Sequence, residues 1–216
     1  MSNLTRSYTV ISKQFNLPSL DLIGINKADV ITASVFIIAI LGTNYAMAGF
    51  PNVKLFDLLV FSAGYVLGFR KGILVGVSAW LLYGTFNPWG PADSLLLTIL
   101  MTSEAIYAFM GFGFRKLMEP NSLRIFNLRQ SLILVGLATL STFLYDLFTN
   151  AYTGVVWANM SGGSYVDWIN VALFNPGALL FSFVHISSNI IIFLTLGPLV
   201  MRGFMALNRI AKDWEQ

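Results

Sequence analysis

The chain contains no cysteine and a single histidine. Without thiols there is no disulfide framework, no cysteine nucleophile, no thiolate zinc site and no cysteine-held iron–sulfur cluster. Charge is scarce too: 11% of the 216 residues are Asp, Glu, Lys or Arg, whereas 56% are hydrophobic. Ordinary soluble domains carry about 25% charged residues, so the solvent expected for this chain is a lipid bilayer. Further absences narrow the chemistry. No Gly-rich loop ends in Lys-Ser or Lys-Thr, no HExxH pair occurs, and there is no Gly-x-Ser-x-Gly turn. The chain therefore offers no phosphate-binding loop, zinc-protease pair or hydrolase elbow. It is read as a non-enzyme with no cofactor.

What the sequence does have is apolar runs. A helix needs about 20 residues to cross the hydrocarbon, which leaves room for roughly six spans. The runs place them at 29–48, 55–69, 72–87, 94–114, 131–152 and 176–201. The expected fold class is all-α, a polytopic six-transmembrane-helix bundle spanning 29–202. A polar segment, 1–28, precedes it without a continuous apolar run, and a basic tail, 203–216, follows. Arg70-Lys71 divides the second span from the third. A single helix across 55–87 would carry both cations into the membrane at about 2.5–3.5 kcal/mol each, so a tight hairpin with both at the surface is expected.

The cations set an orientation. Arg6, Lys13 and Lys27 precede the first span, and Arg70 and Lys71 join the second to the third. Arg115, Lys116, Arg124 and Arg129 join the fourth to the fifth, and Arg202, Arg209 and Lys212 follow the sixth. Only Lys54 falls on the opposite side. The positive-inside rule then puts both termini in the cytoplasm of a multi-pass cell-membrane protein. The net charge of +3 is accounted for in this way and implies no nucleic acid partner.

The outer loops GFPNVK, GTFNPWGPAD and YTGVVWANMSGGSYVDWINVALFNPG hold Trp89, Tyr152, Trp157, Tyr165 and Trp168. They read either as an interfacial aromatic belt or as a lid over a site open to the outside, with rings that stack on a flat ligand. Gly64 and Gly68, and likewise Gly72 and Gly76, are spaced by four. That spacing puts each pair on one helix face and suits close helix packing.

Polar residues interrupt the apolar runs. Glu104 lies near the middle of the fourth span, Asp146 in the outer half of the fifth (FLYDLFTN), and His185 in the outer half of the sixth. Asn150 follows Asp146 by one turn and Asn189 follows His185 by one turn, so two helices each present a polar pair on one face. Lipid exposure of such groups is costly, so they are expected to face the bundle interior or a cavity. Two readings stand side by side: interhelical hydrogen bonds that hold the bundle, or a polar pocket reached from outside.

Two stretches carry a resemblance. GFRKGILVGVSAWLLYGTFNPWGPADSLLLTILMTSEAIYAFMGFGFRKL resembles the central hairpin and fourth helix of substrate-binding S components of energy-coupling factor (ECF) transporters. FLYDLFTN and FVHISSNIIIFLTLGPLVMR resemble the fifth and sixth helices of that group. The likeness covers about residues 30 to 210. It implies a six-helix membrane protein that captures a vitamin-like small molecule from the outer side, partnered by a transmembrane coupling protein and ABC-type ATPases. Members often dock through alanines spaced by four on the first helix. Here the corresponding pairs are Ala28 with Thr32, Ala39 with Thr43, and Gly42 with Ala46. The metal-transporting branch is disfavoured, because MSNLTRSY has no histidine for an amino-terminal nickel or cobalt site. On this resemblance the ligand would meet Glu104, Asp146, Asn150, His185 and Asn189, with Trp89, Trp157, Trp168 and Tyr145 as the nearest rings. The alternative from a different class is an accessory or structural subunit of a larger membrane complex, with no substrate of its own.

Overall fold

A computed structural model describes residues 26–118, 123–125 and 127–214. Among these the fold is all-α, with seven helices: α1 (Lys27–Ala46), α2 (Phe56–Leu67), α3 (Phe69–Thr85), α4 (Ser94–Leu117), α5 (Leu128–Ser161), α6 (Tyr165–Phe174) and α7 (Pro176–Asp213). Four of them, α1, α4, α5 and α7, are long and apolar enough to cross a membrane, which is the architecture of a helical membrane protein. The expected 1–28 segment lies outside the described residues except at its end, where Asn26 caps α1. Its side chain accepts from the Asp29 amide at 2.7 Å while Asp29 reaches back to the Asn26 amide, a reciprocal capping box.

The short helix α2 is the centre of the bundle. Its 12 residues are all buried, and at 1.5 Å per residue it is about 18 Å long, too short to cross a bilayer alone. Its ends must then find partners inside the protein. At the C-terminal end, Arg115 from α4 donates to the carbonyls of Tyr65 and Val66 at 3.3 and 3.0 Å, which satisfies acceptors that the helix leaves open. Neighbouring helices approach α2 at backbone distance. A Cβ added to Gly64 would fall on the Ala108 carbonyl of α4, and one added to Gly111 would fall on the Phe61 carbonyl of α2. Aromatic contacts complete the packing, with Phe61 edge-on to Phe193 of α7 at 5.2 Å and Phe36 of α1 stacked on Phe204 of α7 at 3.6 Å.

Several boundaries differ from the sequence expectation. The α2–α3 turn falls at Gly68, whose φ of 89° is open to glycine without steric cost; Arg70 and Lys71 lie in the first turn of α3. Gly68 is thus the hinge of the hairpin, and its expected pairing with Gly64 at a helix contact does not hold. The segment expected as an outer loop, 152–177, is largely helical. Nothing in YTGVVWANMS stops α5, which runs 34 residues to Gly162 in a left-handed conformation, and α6 occupies 165–174. Residues 203–213, expected as a tail, continue α7, which carries Pro198 within it.

The close approaches predict a clear difference between two glycines of α4. Gly111→Ala should lower stability by about 1–3 kcal/mol, since backbone cannot move aside as a side chain can. Gly113→Ala, where a Cβ meets nothing within 4 Å, should leave the unfolding midpoint in detergent unchanged or slightly raised. Equal effects of the two would contradict the packing.

Candidate functional site

The polar residues inside the bundle form one connected chain. Lys54 and Asp57 stand three residues apart at the start of α2, with Lys54 Nζ 3.2 Å from Asp57 Oδ1. The approach is that of an ion pair and not of an aligned hydrogen bond, since no hydrogen bond reaches that oxygen. On α7, His185 is fully buried. Its Nε2 lies 2.7 Å from Asp57 Oδ2, and its Nδ1 lies 2.7 Å from Asp146 Oδ1 on α5. One turn further, Asn189 donates from Nδ2 to Asp57 Oδ2 at 2.8 Å, and the same atom lies 2.8 Å from Thr142 Oγ1 and 3.2 Å from the Tyr107 hydroxyl. Tyr107 in turn faces Asp57 Oδ2 at 3.2 Å and Thr142 Oγ1 at 2.9 Å. Side chains from α2, α4, α5 and α7 thereby meet at Asp57.

Proton counting gives the charge of this chain when its protons are the two held in the histidine bonds. Each of the two bonds from His185 to a carboxylate contains a proton, carried by nitrogen or oxygen. An imidazole and two carboxyl groups sharing two such protons carry a total of one negative charge, wherever the protons reside. Lys54 supplies one positive charge, so the four groups sum to zero. Such compensation is what allows ionisable groups to lie inside an apolar bundle.

Above this chain a cavity of about 410 Å³ opens at the end of the bundle formed by the C-terminus of α1, the N-terminus of α2 and the α3–α4 loop. Its size falls in the range of small-molecule sites, about 300–1,000 Å³. Lys54 reaches its wall, with Nζ 4.7 Å from the Tyr145 ring centroid and 5.4 Å from that of Trp80. Tyr83 and Trp89 add two more rings, and Asn44, Asn87 and Asn150 add carboxamides. The rim is tied down by backbone contacts: Asn52, at φ 58°, donates to the Phe181 carbonyl, and Tyr45 donates to the Phe86 carbonyl. At the N-terminus of α4, the amides of Leu96 and Leu95 donate to Asp93 and hold its carboxyl below the usual range; Tyr152 also donates to Asp93 at 3.3 Å.

The residues singled out from sequence separate into three groups. Asp146, Asn150, Tyr145 and Trp89 line the cavity. His185 and Asn189 lie beneath it, fully buried and bonded to Asp57. Glu104 also stands outside the wall and accepts from Trp80 Nε1 at 3.1 Å, so it orients a ring that does face the cavity. Trp157 and Trp168 are elsewhere: they pack edge-on against each other at 6.1 Å beside a shallow groove with Met160. Lys54 and Asp57 were missed as site residues. Their signal was present, since Lys54 is the one cation that the sequence reading set apart from the rest, and it has an acid three residues on. No family model, curated protein or solved structure matches this chain.

Two asparagines that look equivalent in sequence should differ in consequence. Asn189→Ala strips a donor from buried Asp57 and should cost about 1–3 kcal/mol. Asn150 makes no side-chain hydrogen bond among the described residues, and Asn150→Ala should change stability by less than about 0.5 kcal/mol. Chemical unfolding in detergent distinguishes them, and a larger loss at Asn150 would refute the network.

Proposed function

We propose that this chain is the substrate-capture component of a micronutrient or vitamin uptake transporter, of the ECF S-component kind. It crosses the cell membrane six times with both termini in the cytoplasm, takes a small molecule from the outer side, and hands it inward with a separate transmembrane coupling protein and ABC-type ATPases. The observation that carries this reading is the cavity over the Lys54–Asp57–His185–Asp146 chain. It lies at the helix ends opposite to Arg70, Lys71, Arg115, Lys116 and Arg202, the side that the positive-inside rule assigns to the exterior. Its walls combine aromatic rings with a few polar groups, the usual composition of a site that selects one small molecule. In the six-crossing arrangement α2 and α3 each cross as the two arms of a hairpin, and the shortness of α2 is tolerated by its complete burial against its neighbours.

Native mass spectrometry of the protein purified in detergent tests this. A stoichiometric small-molecule adduct is expected, and Ala48→Trp, which fills the cavity from its rim, should abolish it while the protein still elutes as a folded species. A bare wild-type chain that arrives only with other membrane subunits would sink the capture reading and favour an accessory subunit.

A further inference from the structure

Two groups at the cavity wall have unused hydrogen-bonding capacity of opposite sense. Asp146 is 6% exposed, and its Oδ1 is engaged by His185, yet its Oδ2 has no partner among the described residues. A buried carboxylate oxygen without a donor calls for an explanation. On the same cavity, the Lys54 ammonium has three N–H groups. Its ion-pair partner among the described residues is Asp57, and the rings of Tyr145, Trp80 and Phe56 lie at 4.7, 5.4 and 5.7 Å. Ring faces attract a cation but satisfy an N–H less well than an oxygen does. The wall therefore offers a donor at Lys54, and Asp146 holds an unpaired acceptor just behind the surface, which a turn of the carboxylate would bring to a ligand, while the chain joining them is already electrically balanced.

We infer that the cavity takes an uncharged, flat nitrogen heterocycle with an acceptor edge for Lys54 and an N–H donor edge for Asp146, as in a lactam that carries a ring amine. The inference deepens the capture reading and rests on it. A ligand of net charge would add that charge to a wall at which Lys54, Asp57, His185 and Asp146 already cancel, and it would be removed from water at a cost. An uncharged ligand with both edges completes the two open bonds and adds no charge. Among the rings that line the cavity, Trp89 is the most exposed and offers a face against which such a ring stacks.

Three fluorescent probes of similar flatness test this: pterin, an uncharged lactam with amine donors; pterin-6-carboxylate, an anion; and proflavine, a cation. Their affinities for the detergent-solubilised full chain are read by tryptophan quenching. Pterin should bind at least about tenfold more tightly than either charged probe. Asp146→Asn removes a negative charge and turns an acceptor toward a donor, so it should move the ranking toward pterin-6-carboxylate. Lys54→Gln removes a positive charge and should move it toward proflavine. Wild-type protein that prefers a charged probe, or that binds none of the three, overturns the inference. So do folded variants that weaken all three equally. Should either variant fail to elute as a folded species, the wild-type ranking alone decides. A stoichiometric native adduct together with the wrong ranking would defeat the charge inference and leave capture standing, whereas no adduct would defeat capture itself.

Discussion

His185 is held between two carboxylates inside an apolar bundle, and most of the arrangement around it follows from that requirement. Ionisable groups in a low-dielectric interior must be paired and hydrogen-bonded, or the fold is lost. Asp57 can be buried at the start of α2 only because Lys54, His185, Asn189 and Tyr107 converge on it. The last three come from α7 and α4, and Asp146 brings in α5. A set of helices that lipid tails would not drive together by hydrophobicity is in this way given a specific register. The network supplies the directional part of the packing, and the glycine contacts of α2 with α4 supply the close approach.

The same constraint shapes the cavity. Helix α2 is short and wholly buried, and the residues that lead into it, Asn52, Val53 and Lys54, line the cavity. Lys54 and Asp146 each belong both to the wall and to the buried chain. The two readings of the polar residues, bundle glue and ligand pocket, are consequently two ends of one structure. Asn189 and His185 belong to the glue end, Asn150 and Tyr145 to the cavity end, and Asp146 joins them. Glu104 contributes at one remove by accepting from the Trp80 indole.

The membrane character, the all-α class and the inward facing of the intramembrane acids were legible in the sequence, because hydropathy and the cost of burying charge act locally and strongly. The turn at Gly68 was not separable from the adjacent cations, since both break the same apolar run. The extension of α5 to Ser161 was hidden because Trp, Tyr and Asn suit a membrane interface and a helix alike, and only Gly162-Gly163 marks the stop. Lys54 and Asp57 escaped notice as site residues for a different reason. The lone cation with an acid three residues on was visible, but the partners that give the pair its importance lie 50 to 132 residues distant in sequence. Trp157 and Trp168 carry the opposite lesson: aromatic residues between two long helices are as readily satisfied by each other as by a ligand.

Because His185 is the only histidine of the chain, the central claim can be read from a single residue. Nitrogen-15 NMR of histidine-labelled protein in detergent micelles reports directly on its two ring nitrogens. The account predicts one imidazole with both nitrogens in strong hydrogen bonds to carboxyl groups and with protons that exchange slowly with solvent, and loss of the Nδ1 signature alone in Asp146→Leu. A ring with one free nitrogen and rapidly exchanging protons would contradict the buried chain on which the bundle and its cavity both depend.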